Sequence, residues 1–240
     1  MNERKNAPAT LAEKIEIAWE RFGHMLELAR KRGRRIAVAW TGGKDSTLVL
    51  HLWKRFLERQ GEDAVRLFAL NLDTGFKFPE IIAFRDRMAR EWGVDLVVAR
   101  PDVDLENYPV ARDVAACCAE LKIRPLHKAI LEYGIGALLT GVRADEHPSR
   151  EAREWLEKRK EPLHCLVNPI LEFTEMDVWA YVAENGLPYC PLYDQGYRSL
   201  GCVCCTEPAS GSGRDGQGER AGRNRDKEQA LARLHDLGYF

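Results

Sequence analysis

The stretch Val38-Ala39-Trp40-Thr41-Gly42-Gly43-Lys44-Asp45-Ser46-Thr47, VAWTGGKDST, carries an apolar run into two glycines, then into a lysine, an aspartate and two hydroxyls that open an apolar segment. Backbone N–H groups freed at glycines, beside a helix N-terminus and an ammonium, form a cradle for phosphate. A tight strand-to-helix turn capped by Asp45 or Ser46 would account for two glycines alone. Lysine, acid and hydroxyls together shift the reading towards anion binding. The stretch is not a Walker A loop, because Asp45 follows Lys44 and no glycine stands at the required upstream position. A carboxylate repels phosphate unless it caps the helix or holds Mg²⁺ against it, so Asp45 is a candidate Mg²⁺ ligand.

Working outward, residues 36–40 read as a strand and 45–59 as a helix, and the unit repeats. A strand over 65–72 ends in Asp73-Thr74-Gly75, a helix covers 79–92 and a strand 94–99. A helix over 122–133 precedes a strand over 137–141 that runs into Val142-Arg143-Ala144-Asp145-Glu146. Upstream, 10–32 is an amphipathic helix with Thr10 and Glu13 as a capping box. Strands alternating with helices predict an α/β fold, a parallel β-sheet sandwiched by helices. Ligands of such sheets gather outside the carboxyl ends of the strands. The glycine turn, the Asp73 loop and the loop from Gly141 to Glu146 therefore fall on one edge.

After residue 169 the pattern changes. A capped helix over 174–185 leads through a Pro/Tyr/Gly-rich segment to a cysteine cluster. Residues 208–222, rich in Gly and Ser, read as a flexible linker or lid before a last helix over 226–237. The expected organisation is an N-terminal helix (1–33), a nucleotide-binding α/β domain with the cysteine segment (34–205), and a flexible C-terminal lid and helix (206–240).

With 240 residues and a net charge of −1, the chain is sized for one domain and makes no electrostatic case for nucleic acid or a membrane as partner. No basic-then-apolar leader and no bilayer-length apolar run is visible, so the expectation is a cytoplasmic protein. Seven cysteines argue against a disulfide framework and for metal or redox use of some of them. Cys117-Cys118 and the later Cys202-x-x-Cys205, with Cys204 between, look like one four-thiolate site. Zinc competes as occupant, but adjacent side chains diverge and suit its tetrahedron poorly. Cys165 and Cys190 read as core or loop thiols.

TGGKDST resembles the SGGxDS pyrophosphate loop of the PP-loop ATP pyrophosphatases, with Thr41 in place of serine. Five further segments resemble the branch holding adenylyl-sulfate and phosphoadenylyl-sulfate reductases and the small subunit of sulfate adenylyltransferase. They are LDTGFKFPEIIAFRDRMA (72–89), GVRADEHPSREAR (141–153), NPILEFTEMDVWAYV (168–182), PLYDQGYRSLGC (191–202) and ERAGRNRDKEQALARLHDLGYF (219–240). In addition, CCAELKIRPLHKAI (117–130) resembles the CC-x-x-x-[RK] segment of adenylyl-sulfate reductases, which joins a CxxC in holding a [4Fe–4S] cluster. The resemblance implies Cys117, Cys118, Cys202 and Cys205 as ligands and Lys122 close to the cluster; whether Cys202 or Cys204 pairs with Cys205 stays open.

The two subfamilies imply different reactions. A sulfonucleotide reductase needs a nucleophilic thiolate; the reductases carry it in a C-terminal tail, and here no cysteine follows Cys205. The reductases also usually lack Lys44 and Asp45, and the ending with Glu219, Arg220, Arg223 and Gly238-Tyr239-Phe240 resembles the adenylyltransferase. The favoured expectation is thus ATP-dependent adenylyl transfer to sulfate or a similar oxyanion. Pyrophosphate would rest on Thr41, Gly42, Gly43, Lys44, Asp45, Ser46 and Thr47, with Gly141 alongside and Mg²⁺ held through Asp45 and Asp73. Lys44, Arg143, Arg150, Arg220 and Arg223 would neutralise developing charge. A protein carboxylate lodged in that pocket would count against this reading. Three alternatives stand beside it. One is a [4Fe–4S] reductase of adenylyl sulfate or its 3′-phosphorylated form, using Cys190, Cys204 or an external thiol. The others are a PP-loop thiolation enzyme acting on nucleic acid and a catalytically decayed nucleotide binder. The implied partners are a small-molecule nucleotide, a sulfur oxyanion, and a separate GTPase subunit or thiol reductant protein. A homo-oligomer stays open.

Overall fold

A computed structural model describes residues 9–61, 67–209 and 218–240 of the chain. The start of the expected strand over 65–72 and much of the Gly/Ser-rich stretch lie outside these residues. Six strands form one sheet: β1 (Arg35–Ala39), β2 (Phe68–Leu72), β3 (Asp95–Ala99), β4 (Ile135–Leu139), β5 (Leu156–Lys160) and β6 (Leu163–Val167). Their order is β3-β2-β1-β4-β6-β5, parallel throughout except for the antiparallel β5–β6 pair. Because β1 pairs with β2 on one side and β4 on the other, the connections that leave β1 and β4 diverge. That divergence opens a crevice at the carboxyl edge, where such sheets bind ligands.

Alternation along the buried strands gives the sheet two apolar faces. Val38, Trp40, Ala69 and Leu139 face the core shared by α1 (Leu11–Arg32), α2 (Lys44–Arg59), α3 (Pro79–Glu91) and α6 (Glu175–Glu184). Ala37, Ala39, Leu70 and Leu138 face α5 (Arg124–Glu132), and Tyr239 and Phe240 pack on the same side. Helix α2 buries Leu48, Val49, Leu50, Leu52, Trp53, Phe56 and Leu57. At about 1.5–3 kcal/mol for each large apolar side chain buried, this helix anchors the glycine turn that precedes it. Helix α1 carries the expected capping box of Thr10 and Glu13.

Three elements differ from the sequence reading. The expected helix over 122–133 starts earlier: α4 (Val114–Cys118), capped by Asp113, runs through a π turn (Ala119–Ile123) into α5. The widened turn lets the chain continue as one helical run and buries Lys122. The charged stretch after residue 153 contains the β5–β6 hairpin, because an edge strand buries one face only and LEKRK satisfies that. The last helix is divided at Ala230 into α7 (Arg225–Gln229) and α8 (Leu231–Asp236). Residues 218–240 are packed against the body: Glu219, Arg223, Lys227, Leu231 and Leu234 are all buried. Among the described residues, no helix is long and apolar enough to cross a membrane.

Candidate active site

The glycine turn closes through its own side chains. Thr41 N donates to Ser46 Oγ (3.1 Å), Gly43 N to Thr41 Oγ1 (3.3 Å), and Ser46 Oγ to the carbonyl of Gly43 (3.1 Å). Thr47 Oγ1 accepts from the buried Trp40 indole (3.0 Å). Gly42 takes the left-handed conformation (φ +82°) that the reversal needs. Across the crevice the β4 loop presses Gly141 onto the first turn of α2, where a Cβ would lie 2.7 Å from Ser46 N. The amide of Lys44, one of the donors at the helix start, is capped by the hydroxyl of Tyr193 at 2.8 Å.

Lys44 and Arg143 are buried side by side and ringed by acids. Asp45 accepts from Arg143 Nε (2.7 Å) and Lys44 Nζ (3.1 Å); Arg143 also pairs with Asp145, and Glu219 bridges Lys44 and Arg143. Burial works against both cations, but Asp45 first, then Tyr193 and Glu219 at Lys44 and Glu219 at Arg143, hold their pKa values above the ordinary range. Burial, with Asp45 nearby, pushes the Glu219 carboxyl up to about 7 against the pull of Lys44 and Arg143. A protein carboxylate thus sits where the adenylyl-transfer reading puts diphosphate.

Further along the wall, Glu146 binds Arg150 and Arg220 Nη1 (2.9 Å), while Arg220 makes a two-pronged pair with Glu228 (2.6 and 2.9 Å). Burial opposes ionisation of Glu146, yet Arg150 and Arg220 keep its pKa well below normal. Glu146, Arg150 and Arg220 line a cleft together with Thr41, Gly43, Asp45, Ser46, Gly141, Tyr193, Arg223, Lys227, Tyr239 and Phe240. The cleft therefore gathers most of the expected site. Gly42, Lys44, Thr47 and Arg143 are not among its lining residues, although Lys44 and Arg143 are joined to it through Asp45; Asp73 stands apart, its carboxylate accepting from Gly75 N (3.1 Å) and Arg100 Nε (3.3 Å). The β2 loop closes its own turn instead.

A second, small pocket is lined by Cys117, Cys118, Cys202, Cys204 and Cys205 with Thr74 and Lys122. All seven cysteines are free thiols, and Cys165 and Cys190 are buried elsewhere in the core. Residues 202–206 are stitched in place. Cys202 bridges Lys77, Val203 N donates to Phe76 O (2.8 Å), and Thr74 Oγ1 lies 3.3 Å from Cys202 Sγ. Thr206 bridges Arg223, Asn224 N donates to Cys205 O (3.1 Å) and Glu207 N to Gly222 O (2.8 Å). That last crossing is close enough that a Cβ on Gly222 would lie 2.1 Å from the Glu207 carbonyl oxygen. Burial alone would raise the Cys202 thiol, but Lys122, Lys77 and Lys227 bring it down to about 6. Cys204, exposed at the surface and 3.7 Å from Cys205 Sγ, is pushed up to about 12 by burial of its sulfur and by Cys205. Among the described residues, no three His, Cys, Asp or Glu side chains stand close enough together to hold a single metal ion.

The two pockets share a wall. Lys122 Nζ and Lys227 Nζ lie 5.4 and 6.0 Å from the centroid of the Tyr239 ring, with the cleft on one side and the thiols on the other. Lys77, Lys227, Tyr193, Glu146 and Glu219 were not marked as site residues in the sequence. Except for Glu146, which shares the loop of Arg143, each reaches the site from a distant part of the chain, and only their presence in the family-like segments hinted at them.

A mostly parallel sheet with a phosphate-type loop at its switch point and a charged cleft beside it defines the class, an α/β nucleotide-binding protein. Residues 35–208 match the family model for the phosphoadenosine phosphosulfate reductase domain. The chain belongs to that family. Phosphoadenosine 5′-phosphosulfate reductase of Gloeobacter violaceus is 30% identical over 98% of this chain and all of its own length. Adenosine 5′-phosphosulfate reductase of Streptomyces coelicolor is 32% identical, with 93% and 95% covered. The Lysinibacillus sphaericus enzyme of the same name is 43% identical, over 58% of this chain and 62% of its own. Among solved structures, phosphoadenylyl-sulfate reductase from Candida auris superposes with a TM-score of 0.64 at 19% identity, covering 84% of this chain and all of that one. FMN adenylyltransferase from Candida glabrata, in complex with FMN and an ATP analogue, gives 0.66 at 18% identity over 86% of this chain and 70% of that one. These two likenesses establish the fold.

Proposed function

We propose that this chain is a thiol-dependent sulfonucleotide reductase, taking adenylyl sulfate or its 3′-phosphorylated form to sulfite. The observation that carries the reading is the shared wall: a charged cleft ends at Lys227, which shares the Tyr239 ring with Lys122, a residue lining the pocket of five cysteines. The names of the two relatives aligned over more than nine-tenths of this chain support it. The nucleotide phosphate would rest on the N–H groups and hydroxyl of the glycine turn, with Lys44 and Arg143 drawing off charge as the nucleotide leaves. Arg223 and Lys227, on the cleft side of the wall, would receive the sulfo group.

Chemically, a thiolate attacks the sulfo sulfur, the S–O bond to the phosphate breaks, and the nucleotide leaves with that electron pair. A second thiolate then attacks the protein-bound sulfur, releasing sulfite and leaving a disulfide. Cys204 is the exposed thiol at the pocket, and an external dithiol protein would restore it. Its high pKa means that a base must take its proton first, with a neighbouring cation stabilising the thiolate.

A [4Fe–4S] cluster fits the donor set in kind. Cys117, Cys118, Cys202 and Cys205 line one pocket, and a four-thiolate cluster spreads its ligands over separated irons. When bound it would supply a compact negative charge facing the buried Lys122 and Lys227 and the half-buried Lys77. Cys204 is then left outside the ligand set.

Adenylyl transfer stays as a second reading on one observation, the Lys44-Asp45 pair at the switch point; Asp45 being engaged by Lys44 and Arg143 speaks against it. The test gives anaerobically purified protein either sulfonucleotide with a dithiol reductant, and in parallel ATP, Mg²⁺ and sulfate. Sulfite with release of the nucleoside phosphate, lost in Cys204→Ser, is the expected result. Sulfate-dependent pyrophosphate release without sulfite would overturn it.

A further inference from the structure

Glu219 enters the phosphate site from the C-terminal segment, 175 positions from Lys44 along the chain, and its side chain is 6% exposed. The carboxyl groups in direct ion pairs with Lys44 and Arg143 are Asp45, Asp145 and Glu219, three acids against two cations. Asp45 belongs to the first turn of α2, and Asp145 also accepts the Glu175 amide (3.0 Å), so both are held by their own surroundings. Glu219 is the surplus acid. It binds the two cations with one oxygen each, as a phosphate would.

The segment behind it is fastened. Gly222 and Asn224 are hydrogen-bonded to the cysteine loop, and Arg220 holds Glu146 and Glu228. Withdrawal therefore needs only Glu219 and the backbone next to it to shift. We infer that Glu219 is a built-in competitor for the Lys44–Arg143 site. It sets a threshold that a diphosphate or nucleotide phosphate, bonding the loop N–H groups as well, exceeds and a small lone oxyanion such as sulfate does not. An intramolecular ligand acts at high effective concentration, so incoming ligands must bring contacts beyond the two ion pairs. This rests on the reading that these two cations receive phosphate, which the proposed reaction shares.

The experiment measures binding of inorganic pyrophosphate and inorganic sulfate to the full-length chain and to Glu219→Gln by calorimetry, without substrate turnover. The expected result is pyrophosphate bound about tenfold tighter by the variant (~1.4 kcal/mol), and sulfate binding measurable in the variant alone. Wild-type affinity for pyrophosphate that the glutamine leaves unchanged or weakens would overturn the competitor while leaving the phosphate site standing. Pyrophosphate binding to neither protein would overturn the phosphate site and the competitor together. Should the variant not fold, hydrogen exchange on the wild type decides. Added pyrophosphate is expected to slow exchange in residues 42–47 and quicken it around 219; slowing at both would sink the competitor.

Discussion

At the glycine turn and along the cleft each of Lys44, Arg143, Arg150 and Arg220 has a carboxylate against it, whereas at the Tyr239 wall the buried Lys122 and Lys227 make no ion pair among the described residues and face thiols, a phenol ring and each other. An isolated buried ammonium is costly, and two together more so. The burden is visible in Lys227, whose pKa burial, Lys122 and Arg223 drive well below normal. The cleft is balanced within the protein alone; the cysteine pocket leaves positive charge for an external anion to balance.

Removing one member should separate the two regions most sharply. Arg143→Ala strands Asp45, Asp145 and Glu219 together, and the expected loss is about 3–5 kcal/mol in urea unfolding, the range for breaking buried pairs. A loss below about 1 kcal/mol would mean that the cleft is not balanced as described. Acid should act next. Glu157, in the hairpin, has its pKa lowered to about 2: burial raises it, but hydrogen bonds from His235 and Arg153 prevail. Glu146 is lowered in the same sense. A carboxyl whose folded pKa is depressed stabilises above its unfolded value and loses that contribution as pH falls from about 4.5 through its folded pKa. Stability should therefore fall steeply below about pH 4.5, and Glu157→Gln should flatten that slope by roughly 2 kcal/mol after allowance for screening. An unaltered slope would remove Glu157 from the balance.

At the Tyr239 wall the expectation reverses. Lys227→Met should leave the metal-free protein unchanged or about 1–2 kcal/mol more stable, since an apolar side chain replaces an uncompensated ammonium. The same variant should take up less iron and sulfide on anaerobic reconstitution. Marked destabilisation would reveal a counter-anion within the protein and erase the contrast. The smallest effect is expected of Tyr193→Phe, which uncaps the Lys44 amide and should cost about 1 kcal/mol. No measurable change would imply that water caps that amide equally well.

The sheet was legible because its signals are local: Val38 and Trp40 alternate with Ala37 and Ala39 to opposite faces, and the glycine turn follows directly. The hairpin was missed since LEKRK, charged on its open side, shows no apolar periodicity. Lys44 and Arg143 could be named from their positions at strand ends. Their shared partner could not, because Glu219 meets them only through the folding of the C-terminal segment. The cysteines were visible as pairs, yet the lysines that surround them arrive from three separate loops and helices, and no spacing records that.

The crossing of Gly222 over the Glu207 carbonyl has a mechanical consequence. A single methyl group there would act as a wedge, lifting the terminal helices from the cysteine loop and the Glu219 carboxylate from its cations in one movement. Two chemistries are thus hung from one hinge pin of bare backbone.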